Sequence, residues 1–236
     1  MATLRSLAFN VAFLVWTAAV LTAALPVLAL PRAATYALGR FWVRGTFALL
    51  ACIVGLRYRV RGLEHRLAGP AIYAAKHQSS WETLVFALLL HEPAYVLKRE
   101  LIRVPVFGWY LLRAGMIPVD RGGGGAALKR MVAAARARTA AGRPLLIYPE
   151  GTRTAPGERR PYHPGVAALY TQLGLPVVPV ALNSGLFWGR RSFTKRPGTI
   201  TLEFLPAIAP GLPRKVFLAE LQNRLDTASD RLAAAP

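Results

Sequence analysis

The chain has 236 residues, enough for one substantial domain with a full core. Its single cysteine, Cys52, excludes an internal disulfide or a cysteine metal cluster, and its four scattered histidines show no zinc-type spacing. The formal net charge of +19, from 30 basic and 11 acidic residues, is spread along the chain without a nucleic-acid-binding motif, so an anionic lipid surface or an anionic substrate fits it better than nucleic acid.

From Ser6 to Pro31 no charged residue interrupts an apolar run, which at ~1.5 Å per residue is long enough to cross a bilayer. A cleaved signal peptide fits less well, because the run exceeds the roughly 7–15-residue core of such a peptide and only Arg5 precedes it. A second apolar stretch covers residues 33–56. Within it Arg40 and Arg44 share one helix face beside Phe41 and Trp42, a mixture expected at headgroup depth. Residues 1–55 are therefore expected to be membrane-anchoring helices, either a re-entrant hairpin or one span with a surface helix. Residues 56–236 are expected to form one domain of catalytic size.

Beyond residue 56 the pattern changes. "LRYRVRGL" alternates like a half-exposed strand, and "GPAIYAA" is a buried strand that runs into His77. "SWETLVFALLL" predicts an amphipathic helix, "AYVLKRE" a strand, "VFGWYLLRAG" a helix and "MIPVD" a short strand. Residues 126–141 predict a basic, alanine-rich helix opened by the run Gly122 to Gly125. "RPLLIYPE" predicts a core strand, "GVAALYTQLG" a helix, "LPVVPVAL" and "TITLEFLPAI" strands, and "RKVFLAELQNRLDTASDRL" a closing helix. This alternation predicts an α/β domain with a largely parallel sheet flanked by helices.

In such sheets chemistry collects beyond the carboxyl ends of the strands. There the sequence places His77 with Glu82, then Lys98 and Arg99, then Asp120 and Arg121, then Pro149 to Arg153. Histidine accepts a proton near neutrality without special tuning, and a carboxylate on its other nitrogen would hold the tautomer. Five residues turn about 500° on a helix, so His77 and Glu82 meet only if the histidine precedes the helix that the glutamate opens. The alternative is a plain helix start, capped by Ser79 or Ser80 with Glu82 in the first turn. That accounts for the serine and the glutamate but not for the histidine. Lys98, Arg121 and Arg153 suit an anionic headgroup, because guanidinium forks match phosphate oxygens. The glycine run could add backbone N–H groups at a helix start, but a lone glycine run is a weak signal and a surface loop is the simpler reading. Ser79 and Ser80 lack a nucleophile-elbow sequence and Cys52 lies in the anchor, which favours direct attack by a substrate hydroxyl.

Over residues 57–205 the chain resembles the 1-acyl-sn-glycerol-3-phosphate acyltransferase family of glycerolipid acyltransferases. Four ordered blocks carry the likeness: "HQSSWE", "KRELIRVPVFGW" with "GMIPVDR", "YPEGTR", and "VVPVAL", with "YHPGVAALY" continuing the third. The resemblance implies that His77 is the general base and Glu82 its orienting acid. It places Arg121, Glu150, Gly151, Thr152 and Arg153 at the acyl-acceptor headgroup, assisted by Lys98, and Pro179 on the acyl side. Glu82 stands where the family commonly has aspartate, one methylene shorter, and His163 where it often has lysine. The two N-terminal helices resemble the family's membrane-docking hairpin.

The resemblance implies transfer of an acyl group from acyl-CoA or acyl carrier protein to the sn-2 hydroxyl of lysophosphatidate. The enzyme would work at the cytoplasmic face of the inner membrane, beside anionic lipid, with no metal or further cofactor. Another acceptor (glycerol-3-phosphate, another lysophospholipid or a lyso-aminolipid) keeps the same chemistry. A non-catalytic anionic-membrane-binding protein has no use for Glu82 and Glu150 among its cations, and a lipid hydrolase would need a nucleophile.

Overall fold

The seven predicted strands all form in the computed structural model, which describes residues 1–235. They are β1 (Leu56–Arg61), β2 (Ile72–Ala75), β3 (Ala94–Lys98), β4 (Ile117–Val119), β5 (Leu145–Ile147), β6 (Val177–Leu182) and β7 (Gly198–Phe204). One sheet results, in the order β1-β7-β6-β2-β5-β3-β4. Five of its pairings are parallel, and only β6 with β7 is antiparallel. The carboxyl ends of β2 to β6 therefore share one edge of the sheet.

Successive residues of a strand point to opposite faces, and both faces here are covered. Tyr73, Ala75, Leu146, Val178 and Val180 face one core, while Ile72, Ala74, Leu145, Ile147 and Val177 face the other. Helices α1 (Ala2–Ala23), α2 (Arg32–Leu49) and α3 (Glu82–Leu89) supply Phe9, Val43, Phe47, Val85 and Phe86 to the first core. Helices α5 (Gly124–Ala140), α6 (Pro164–Leu173) and α7 (Arg214–Ala234) supply Met131, Val132, Val166, Tyr170, Phe217 and Leu221 to the second. Helix α4 (Phe107–Arg113) lies between β3 and β4 in the chain.

Two helix starts differ from expectation. Helix α3 begins at Glu82, because the turn before it is taken up by side-chain hydrogen bonds: Ser79 Oγ accepts the Trp81 N–H at 3.1 Å, and the Glu82 carboxylate accepts the N–H groups of Gln78 and Ser79. Helix α5 begins inside the glycine run, at Gly124. Asp120 is the reason, since its Oδ1 accepts the Gly122 N–H at 3.0 Å and closes the turn just before the helix.

Helices Ala2–Ala23 and Arg32–Val54 are long and apolar enough to cross a membrane by length and composition. They pack as a pair: the Trp16 indole donates to the Trp42 carbonyl and the Trp42 indole to Thr17 Oγ1, each at 3.0 Å. Gly45 lets them approach, since any side chain there would run into Trp16. The outer side of α1 carries exposed Leu4, Leu7, Val11, Leu14 and Val15. Helix α2 is fastened to the domain through Arg32, which pairs with Glu92 at 2.9 Å, and Tyr36, whose hydroxyl donates to the Pro93 carbonyl at 2.8 Å. A π-helical turn, Leu50–Val54, continues α2 and ends at Gly55, whose φ of +79° turns the chain directly into β1.

Candidate active site

The turn between β2 and α3 brings the predicted pair together. His77 Nδ1 lies 2.9 Å from Glu82 Oε1, the histidine side chain being 12% exposed and the glutamate 0%. The extra methylene of glutamate is accommodated because Glu82 occupies the first helical position and its carboxylate folds back over the turn. There Oε1 accepts the N–H groups of Gln78 and Ser79 at 2.7 and 2.6 Å, while Oε2 accepts the Ser184 hydroxyl at 2.7 Å. A carboxylate surrounded in this way acts as an acceptor only, which assigns the proton of the imidazole to Nδ1 and leaves Nε2 with a free lone pair. The ring stacks on Tyr148, with centroids 4.2 Å apart and planes inclined by 23°, and the Tyr148 hydroxyl donates to the Glu82 carbonyl at 3.2 Å. Burial pushes the Tyr148 phenol well above its ordinary pKa, so it serves here as a neutral donor.

A second buried group fixes the backbone of the histidine. Glu150 Oε2 accepts the His77 N–H at 2.8 Å, and Glu150 Oε1 contacts Lys76 Nζ at 2.6 Å and Thr154 Oγ1 at 2.9 Å. The Thr154 N–H donates to the His77 carbonyl at 2.8 Å, so both backbone polar groups of His77 are held by the segment after β5. Lys76, with a side chain 5% exposed, also pairs with Asp226 of α7 at 2.9 Å. Burial acts to lower the Lys76 pKa, but attraction to Glu150 and Asp226 outweighs it and the net shift is upward.

His77 lines a cavity of about 520 Å³. Its walls are mainly apolar: Leu38, Trp42 and Val43 of α2, Leu84 and Ala87 of α3, Val96 and Leu97 of β3, and Phe107, Tyr110 and Leu111 of α4. The cations that line it are Lys98, Arg121, Arg153, Arg190 and Arg191. Among the described residues only Lys98 of these has a carboxylate in ion-pairing range, Glu100 at 3.2 Å. Burial lowers the pKa of Arg121, opposed by the charge of Glu100. An unpaired, partly desolvated guanidinium of this kind favours an incoming anion.

The structure thus brings His77, Lys98, Arg121, Thr152 and Arg153 to one cavity, with Glu82 directly behind the histidine. Glu150, Gly151 and Pro179 do not line this cavity. The Glu150 side chain is fully buried behind the His77 peptide, where it satisfies an N–H and a buried ammonium. Gly151 has φ +64° and lies against the His163 ring, so both its conformation and the space call for glycine. Pro179 sits within β6, its Cα in register with Ala74 of β2. None of Gly122 to Gly125 lines the cavity. Sequence reasoning missed Lys76, Tyr148, Thr154 and Asp226, and also Ser184, Arg190 and Arg191. Ser184, two residues beyond β6, was within reach of the same strand-end rule that singled out His77 and Arg153.

Fold and site together define an α/β protein with a histidine–glutamate pair at an apolar cavity rimmed by cations. A family model described as Acyltransferase matches residues 57–183, just over half of the chain. The 1-acyl-sn-glycerol-3-phosphate acyltransferase of Pseudomonas aeruginosa is 37% identical over 185 residues, which cover 78% of this chain and 72% of that protein. A protein of the same name from Limnanthes douglasii is 34% identical over 162 residues, 68% of this chain but only 57% of the plant protein. The crystal structure of the 1-acyl-sn-glycerophosphate acyltransferase PlsC from Thermotoga maritima superposes over 100% of this chain and 99% of that one, with a TM-score of 0.81 at 18% identity, and so shares the fold. This chain belongs to the acyltransferase family.

Proposed function

We propose that the chain is a membrane-associated acyltransferase that moves an acyl group from a thioester, acyl-CoA or acyl carrier protein, to the sn-2 hydroxyl of lysophosphatidate. The observation that carries this reading is the His77–Glu82 pair, fully supported by hydrogen bonds, beside an apolar cavity whose rim holds unpaired arginines. In the reaction His77 Nε2 takes the proton of the acceptor hydroxyl as its oxygen attacks the thioester carbon. Glu82 stabilises the imidazolium through Nδ1–H. Collapse of the tetrahedral adduct breaks the C–S bond, and the leaving thiolate recovers the proton from His77. Lysophosphatidate supplies the two features the cavity accommodates, an acyl chain for the apolar wall and a phosphate for Arg121, Arg153 and Lys98. The names of the relatives in Pseudomonas and Limnanthes support the same substrate.

In this reading residues 1–55 dock the enzyme on the membrane and residues 56–236 form the catalytic domain. The exposed apolar face of α1 supports that arrangement, as does the position of α2 in the cavity wall, where an acceptor could pass in from the lipid. Acyl thioesters are cytoplasmic species, which sets the domain on the cytoplasmic face.

The test is thiol release from an acyl thioester by detergent-purified protein, with lipid products resolved. Release that depends on lysophosphatidate and yields phosphatidate is the expected result. Dependence on a different acceptor would keep the chemistry and replace the substrate, and no release with any acceptor would end the reading. Arg153→Ala is expected to raise the lysophosphatidate KM by about tenfold or more, as loss of a charge-assisted phosphate contact does, with little change in the thioester KM. Equal effects on both substrates would remove Arg153 from the phosphate site.

A further inference from the structure

The two oxygens of the Glu82 carboxylate are held by different parts of the fold. Oε1 is met by His77 Nδ1 and by the N–H groups of Gln78 and Ser79, all from the turn that precedes the glutamate. Those three contacts locate one atom, and a glutamate side chain has torsions enough to swing its carboxylate plane about it. Among the described residues the partner of Oε2 is the Ser184 hydroxyl at 2.7 Å. Glu82 and Ser184 are both fully buried, so bulk water does not compete for that contact.

Ser184 is placed by elements outside the His77–Glu82 turn. It opens a short helical turn, Ser184–Leu186, two residues beyond β6, and its carbonyl accepts the N–H groups of Phe187 and Trp188 at 3.1 and 2.9 Å. The buried Asn183 before it is braced on both sides. Its Nδ2 donates to the Leu232 carbonyl of α7 at 3.0 Å, and its Oδ1 accepts the Thr201 N–H of β7 at 2.8 Å. After it the Gly185 N–H donates to Gln78 Oε1 at 3.0 Å, and a side chain at Gly185 would run into Pro156 and Gln78. Ser184 does not line the cavity and lies just beyond the stretch matched by the family model, which ends at residue 183.

Resting on the acyltransferase reading, we infer that Ser184 is a positioning residue for the reaction: its hydroxyl fixes the plane of the Glu82 carboxylate, and through it the direction in which His77 Nε2 points. The imidazole N–H meets a carboxylate oxygen best near the carboxylate plane, so a fixed plane fixes the ring. A displacement of about 1 Å at a catalytic group can cost on the order of 10²-fold in rate. Because Ser184 touches neither substrate, its contribution belongs to turnover and not to binding.

Ser184→Ala is expected to lower kcat by about 10- to 30-fold, the worth of a hydrogen bond to a charged group expressed in the transition state. The KM values for lysophosphatidate and for the thioester should each stay within about twofold. Ser184→Cys keeps the volume with only a weak donor and should show the same split, which also carries the test should the alanine variant not fold. A loss with alanine that cysteine restores would assign the effect to packing, and a rise in KM at unchanged kcat would assign it to substrate binding. Either result overturns the positioning role, as does a fall in Tm alone. A readout without turnover is the Nδ1 proton resonance of His77 in protein carrying ¹⁵N-histidine, identified by its absence from His77→Ala. It should shift and broaden in Ser184→Ala, and an unchanged resonance would overturn the inference. Should the resonance respond as expected while the wild type transfers no acyl group to any acceptor, the acyltransferase reading alone would fail.

Discussion

Replacing His77 by alanine is expected to lower kcat by about 10³-fold while the lysophosphatidate KM changes by less than about threefold, the pattern of a group that acts on a proton in the transition state. The geometry supports a selective effect. The imidazole is bonded to Glu82 and stacked on Tyr148, but the glutamate keeps three other donors when the ring is removed, from Gln78, Ser79 and Ser184. No buried carboxylate is stranded, so the fold and vesicle binding should survive, which circular dichroism and flotation would check. A variant that keeps its kcat and loses only acceptor affinity would make His77 a binding residue, and one with full activity would remove it from the chemistry.

Replacing Lys76 by methionine should act on stability first. The substitution leaves Glu150 and Asp226 buried without their shared ammonium, and breaking a buried pair in this way costs about 3–5 kcal/mol. For a chain of this length that corresponds to a fall in Tm of roughly 10 °C, measured by thermal unfolding in one detergent. Neutralising both carboxylates as well, with Glu150→Gln and Asp226→Asn, should recover a substantial part. A single variant as stable as the wild type would show that the trio stabilises nothing. The pH dependence has a definite sign. The Lys76 pKa is raised in the folded state, so its contribution is fully present below the ordinary lysine value of 10.5 and is lost as pH rises through the raised value. On the alkaline side, the stability difference between wild type and Lys76→Met should therefore persist past neutrality and shrink only as pH rises through the raised lysine value.

The Lys76 trio also shows where the reading of sequence ends. Lys76 and Asp226 are 150 positions apart, and no spacing rule connects a residue beside His77 to one on the closing helix. Glu150 illustrates the same limit from the other side. Its block marks it as part of the site, yet only packing decides that its carboxylate is turned behind the His77 peptide rather than into the cavity. Gly151 and Pro179 likewise belong to motif blocks and act through backbone conformation and sheet position, which a block does not distinguish from ligand contact.

By itself the sequence determined the elements and their polarity. Period-two and helical patterns alternate along the chain, and the strands so marked carry His77, Lys98, Arg121 and Arg153 at ends that a parallel sheet brings to one edge. The His77–Glu82 contact was legible too, because both residues lie in one turn and local geometry limits how they can meet. The tertiary structure alone decided which charged groups are buried with partners and which stand free at the cavity. It paired Lys76 with Asp226, set Ser184 on Glu82, and brought Arg190 and Arg191 to the cavity that Arg153 lines. The physical reason is that desolvation and pairing depend on neighbours contributed by distant segments, whereas periodicity records only which face of its own element a residue occupies.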